Sequence, residues 1–227
     1  MSNRRLKKMK KKILFSLLAS LILPCMVTAE IKIGTRGKKT SVKSIVVLED
    51  EFTGSKVYQS SDWSPLQLEG GNFFTLTIDP SISIGDTDSI IMLSIDYKIG
   101  TTEDTIFDKI VFIGGGKKVA IELDSSKMTS AIEKTMVALV AMDVHVHKCI
   151  GTISKEEYDL LKEILANNAE VKFAAYSTTN KMTPTSQGKL KGKKYKTLFF
   201  DLETAALTDN PDVTFAKGDG VIKISAQ

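Results

Sequence analysis

His145, His147 and Cys149 stand two residues apart in the run His145-Val146-His147-Lys148-Cys149-Ile150. In an extended backbone that spacing sends both imidazoles and the thiol to one face, with Val144, Val146 and Ile150 on the other. Two borderline nitrogens and one soft sulfur suit Zn²⁺ or copper. The same pattern describes the solvent face of a half-buried strand with Cys149 tucked under a loop. Neither spacing is a recognised metal signature and no fourth ligand is visible. The plainer reading is preferred, so no cofactor is expected, with zinc or copper as the alternative.

Other chemistry-bearing residues form no catalytic set. Cys149 with a histidine would make a thiol pair, since an imidazolium lowers a thiol pKa, but side chains two apart on a strand are not held in contact. No serine occupies a G-x-S-x-G turn. Asp86/Asp88 and Glu156/Glu157 fall in a turn and a helix start, where acidic residues are ordinary. Gly114-Gly115-Gly116-Lys117-Lys118 lacks the spacing and the following helix of a phosphate loop and reads as a hairpin turn. Trp63 is expected to plug the core, and Lys189, Lys191, Lys193, Lys194 and Lys196 to solvate a loop. A non-enzyme is therefore expected.

The elements that position these residues centre on Thr135 to Ser177, read as strand, helix, strand. The first strand runs from Thr135 through Ile150 and ends at Gly151. Ser154 with Glu157 forms a capping box, and Tyr158, Leu161, Ile164 and Leu165 share the apolar face of a helix over 154–167. Asn167-Asn168 should close it in the left-handed conformation, after which Val171, Phe173 and Ala175 alternate as a strand.

Short strands joined by turns are expected elsewhere: Ile31 to Ile33, Val42 to Leu48, Phe73 to Ile78 stopped by Asp79-Pro80, Ile90 to Tyr97, Asp108 to Ile113, and Val119 to Leu123. The polar segment 124–134 holds at most a helical turn. A flexible loop near 178–194 precedes a strand over Tyr195 to Leu202, a helical turn at Glu203 to Leu207, and a last turn before Val221 to Ser225.

The 227 residues carry a formal charge of +4, which would suggest a polyanion partner were it not for its placement. Seven of the 31 basic residues precede residue 13, leaving 24 against 27 acidic residues, or about −3. That basic n-region, the apolar run Ile13 to Leu23 and the small-residue end Val27-Thr28-Ala29 have the three parts of a secretory signal. Residues 1–29 are read as a signal peptide, with cleavage before Glu30 and a single β-rich domain over 30–227. The apolar run falls short of the roughly 20 residues of a membrane span. Proline stands before Cys25 where a lipoprotein signal needs a small residue, so lipid anchoring through Cys25 is not expected. Cys149 is then the one cysteine of the mature chain.

Asp50-Glu51-Phe52-Thr53-Gly54, the strand opening at Asn72-Phe73-Phe74, the hairpins to Leu123, and Ile153-Ser154-Lys155-Glu156-Glu157-Tyr158 through Phe173 together resemble a family of exported bacterial β-rich domains with one late helix, a domain of unknown function. The resemblance spans roughly residues 50 to 177 and implies export and fold class. The expected fold is α+β, mainly β: an antiparallel sheet of hairpins with one amphipathic helix packed on it. The expected function is an exported binding module, periplasmic or secreted, for a protein or cell-surface component and not for nucleic acid. The alternative is a metal protein built on the His-x-His-x-Cys strand.

Overall fold

β-branched and aromatic runs become strands here, and among the described residues the ladders between strands are antiparallel, as short connections require, with one isolated parallel bridge between Ser89 and Phe215. The computed structural model describes residues 38–50, 53–61, 66–67, 73–85, 89–100, 105–137, 140–208 and 210–227. The leader with Cys25, Ile31 to Ile33, Trp63 and the Asp86/Asp88 pair lie outside the described residues.

The chain builds two sheets rather than the single one expected. The larger has eight strands: β1 (Lys38–Lys39), β2 (Ile45–Glu49), β3 (Lys56–Ser60), β4 (Leu66–Gln67), β5 (Phe73–Ile84), β6 (Ser89–Ile99), β9 (Thr129–Val137) and β10 (Val140–Ile153), in the order β1-β2-β3-β5-β6-β10-β9 with β4 also on β5. The smaller has five: β7 (Phe107–Gly114), β8 (Lys117–Leu123), β11 (Glu170–Ser177), β12 (Ser186–Lys191) and β13 (Ile222–Ala226), in the order β12-β11-β7-β8-β13.

Strict alternation along β6 buries Ile91, Leu93, Ile95, Tyr97 and Ile99. Opposite them on β5 stand Ile82, Pro80, Ile78 and Leu76. Asp79-Pro80 therefore does not stop this strand. The ladder to β3 covers Ile82 to Ile84 and that to β4 covers Thr75 and Leu76, so among the described residues the partner of β5 at Pro80 is β6 alone, and a missing N–H is tolerated.

The long first strand of the central segment is two strands. β9 ends at Val137 and β10 starts at Val140, with Val137 opposite Val140, so 129–137 folds back as an edge strand instead of remaining polar coil. Gly151 does not end β10, which continues to Ile153. A helical turn, Ser125–Lys127, does precede β9.

Helix α1 (Lys155–Asn167) starts on the expected capping box: Glu157 N–H donates to Ser154 Oγ at 3.2 Å, and Ser154 N–H donates to Glu157 Oε2 at 2.7 Å. Tyr158, Leu161, Ile164 and Leu165 are buried against β7, β8 and β13. Its end is not left-handed, because Asn168 has φ −109° and closes the helix through its side chain, Nδ2 donating to the Ile164 carbonyl at 2.8 Å.

A second helix, α2 (Gly192–Leu207), replaces the strand expected over Tyr195 to Leu202. Its buried residues Tyr195, Phe199, Leu202 and Ala206 recur at three-to-four spacing, which a strand would scatter over both faces. The helix packs on α1 and on β2, β3 and β5. Tyr158 and Phe199 rings lie 5.1 Å apart, and Lys162 joins Glu203 at 2.8 Å and Asp159 at 3.2 Å. The segment 178–194, expected as loop, contains β12, which pairs with β11 from Glu170↔Lys191 to Ala175↔Ser186. One buried cluster joins side chains from both sheets and both helices.

Candidate functional site

β10 places the candidate ligands on the inner side of the larger sheet. His147 stands opposite Tyr97 and Cys149 opposite Ile95, and all four are fully buried. His145, opposite Ile99, is half-buried near the sheet margin. The shared face is as the spacing requires, but it is the core face: the preferred expectation of a solvent face is overturned for His147 and Cys149, while His145 keeps partial exposure. His147 Nδ1 lies 2.8 Å from Ser130 Oγ on β9, and the imidazole lies 4.8 Å from the Tyr97 ring at 31°. A serine beside a histidine would suit nucleophilic catalysis, yet this ring is wholly covered and offers no surface to a substrate.

Cys149 is inert by the same burial. Desolvation, followed by the charges of Asp124, Asp219 and Asp96, pushes its thiol up to about 11, so it is protonated at neutral pH. Among the described residues, no group of three His, Cys, Asp or Glu side chains is placed to hold a metal ion.

Glu157 does more than its helix-start position suggests. While Oε2 completes the capping box, Oε1 accepts from Ile224 N–H of β13 at 3.2 Å, tying α1 to an edge strand. Gly114-Gly115-Gly116 is the expected hairpin turn, with Gly115 at φ 58° and Gly116 at φ 78°. The lysine cluster is split between elements, with Lys189 and Lys191 on β12 and Lys196 on α2.

The outer face of the smaller sheet is a different kind of surface. Registers align Lys189, Lys172, Ile113 and Lys118 in one row across four strands. The row beside it is Gln187, Ala174, Val111, Ala120 and Ser225. The third is Tyr176, Lys109, Glu122 and Lys223. Directly opposed residues share a face, so small side chains form a strip between two charged rims.

Lys118, Lys172, Lys189 and Lys223 are exposed, and Ile113 is 42% exposed. Among the described residues Lys118, Lys172 and Lys223 enter no ion pair, whereas Lys189 meets Glu170 at 3.0 Å. Lys109 lies over the Tyr176 ring at 5.0 Å. At one end of the face a cavity of about 310 Å³ is lined by Asp108, Lys109, Glu122, Leu123 and Lys181, with Lys181 paired to Asp108 at 3.3 Å.

Sequence reading missed this array because its lysines come from separated segments. Alternation shows Lys172 and Lys118 as outward residues, but only the register brings them into one row.

No protein-family model matches the chain, and neither curated proteins nor solved structures give a match. Among the described residues no helix is long and apolar enough to cross a membrane.

Proposed function

We propose that the protein is an exported binding module without catalytic activity, which engages a cell-surface component through the outer face of its five-stranded sheet. The lysine rows are the observation that carries this reading. Lysines on an edge strand blunt unwanted strand pairing, and Lys189 on β12 and Lys223 on β13 are accounted for that way. Lys172, Lys109 and Lys118 lie on the interior strands β11, β7 and β8, where no edge needs protection. Lys172 also stands directly opposite Lys189, a like-charged cross-strand pair whose repulsion the Lys189–Glu170 ion pair offsets only in part. A surface that keeps such a pair on a chain of negative remaining charge fits an anionic partner.

Export is supported by the leader composition, with release of the domain after Ala29 and a periplasmic or secreted destination. The test is fractionation of cells expressing the full chain, followed by co-sedimentation of the exported protein with purified cell envelope. The expected result is a product whose intact mass starts at Glu30 and which sediments with the envelope. Retention in the cytoplasm, or export with no sedimentation, would refute the reading.

A further inference from the structure

We infer that the free edge of β9 is a self-association surface, on which a second copy of this chain adds its own β9 antiparallel and extends the larger sheet across a two-fold axis. The inference does not rest on the binding-module reading. Among the described residues four strands end the two sheets: β1, β9, β12 and β13. β1 has two residues, β13 has five with Lys223 among them, and β12 has six with Lys189 and Lys191, the shortness and the lysines that discourage strand pairing. β9 has nine residues, contains neither proline nor glycine, and keeps one unbroken register with β10 from Thr129 to Val137. Every residue from Thr129 to Lys134 is exposed, and Ile132 among them is 63% exposed. The acidic side chain of this strand does not guard the edge, because Glu133 is engaged across β10 by Lys98 of β6, at 2.6 Å.

A second copy is the occupant because the strand is complementary to itself. A two-fold axis normal to the sheet returns each face to itself, so antiparallel self-pairing must be centred on a single residue. Centring on Glu133 or Lys134 sets like charges directly opposite, and centring on Ala131 sets Ile132 opposite Ser130. Centring on Ile132 brings the two exposed isoleucines together, with Ala131 opposite Glu133 and Ser130 opposite Lys134, and no like charges directly opposed. The same register sets Thr129 opposite Thr135. Each molecule offers this edge once, so the association closes as a dimer. A single strand edge falls in the interface class below about 1,200 Å², which makes the dimer a reversible one.

The test is sedimentation velocity of the purified protein over a concentration series up to about 1 mM, which resolves an association of this class. A reversible monomer–dimer equilibrium is expected. Ile132→Lys sets two cations opposite each other in place of the apolar pair and should weaken the dimer about tenfold. Its urea midpoint, measured on dilute monomer, should stay in place, since the side chain replaced is exposed. Ala131→Lys faces Glu133 of the second copy and should tighten the dimer about twofold, whereas Ala131→Glu should loosen it by a similar factor. Lys118→Gln/Lys172→Gln, on the outer face of the smaller sheet, should leave the equilibrium unchanged. A protein that stays monomeric throughout, a dimer indifferent to Ile132→Lys but sensitive to the lysine variant, Ala131 variants that move together, or assemblies growing beyond the dimer would each overturn the inference.

Discussion

The Tyr97 and His147 rings lie 4.8 Å apart on neighbouring strands, and together they close the core where the larger sheet meets the start of the smaller one. Tyr97 Oη accepts the Phe107 backbone N–H at 2.9 Å and donates to Met128 Sδ at 3.3 Å, while the Phe107 ring meets Tyr97 edge-on at 4.8 Å. One phenol thus fixes the entry to β7. Tyr97→Phe keeps the ring but leaves the buried Phe107 N–H without its acceptor, and a loss of about 1–3 kcal/mol is expected in urea unfolding. A variant as stable as wild type would show that the hydroxyl carries no such role.

Ser154→Ala removes one acceptor at the start of α1 and should cost about 1 kcal/mol. Glu157→Ala deprives two backbone donors, Ser154 N–H and Ile224 N–H, and should cost more, about 2–3 kcal/mol. Denaturant midpoints rank the pair. Equal losses would mean that the bond to β13 contributes nothing.

Gly115 and Gly116 both have positive φ, so alanine at either should cost about 1–2 kcal/mol. A Cβ on Gly115 would in addition collide with Asn168 Oδ1, whereas nothing lies within 4 Å of one on Gly116. Gly115→Ala is therefore expected to be the worse of the two, and Asn168→Ala to relieve part of its excess. Strict additivity in a double-mutant cycle would contradict the contact.

The Cys149 thiol is raised from about 9 to about 11, so the unfolded chain releases its proton first as pH rises. The stabilisation is complete below pH 9 and is lost as pH climbs through 11. Tyr158, raised by burial and then by Glu203 and Asp159, adds to the alkaline loss. Unfolding free energies measured from pH 7 upward should fall over this interval, and a thiol-reactive dye should label Cys149 only after unfolding. Rapid labelling of the native protein at pH 8 would show an accessible thiolate instead.

What the sequence determined by itself is local. The capping box at Ser154 and Glu157, the apolar stripe of α1, the glycine turn after Gly114 and the alternation of β11 each depend on residues a few positions apart, so neighbours in the chain suffice to specify them. Tertiary structure decided the rest. Tyr195 to Leu202 is rich in strand-forming residues, yet it is a helix because Tyr195, Phe199 and Leu202 must face α1 and β3 together. Period two puts His145, His147 and Cys149 on one face, but whether that face is wet or dry depends on β6 and on elements remote in sequence. Export, read from the leader, and the single domain over 30–227 remain readings of composition. The lysine rows depend wholly on register: Lys118, Lys172 and Lys189 are ordinary outward residues until three ladders align them, and alignment between distant strands is set by which apolar faces bury together.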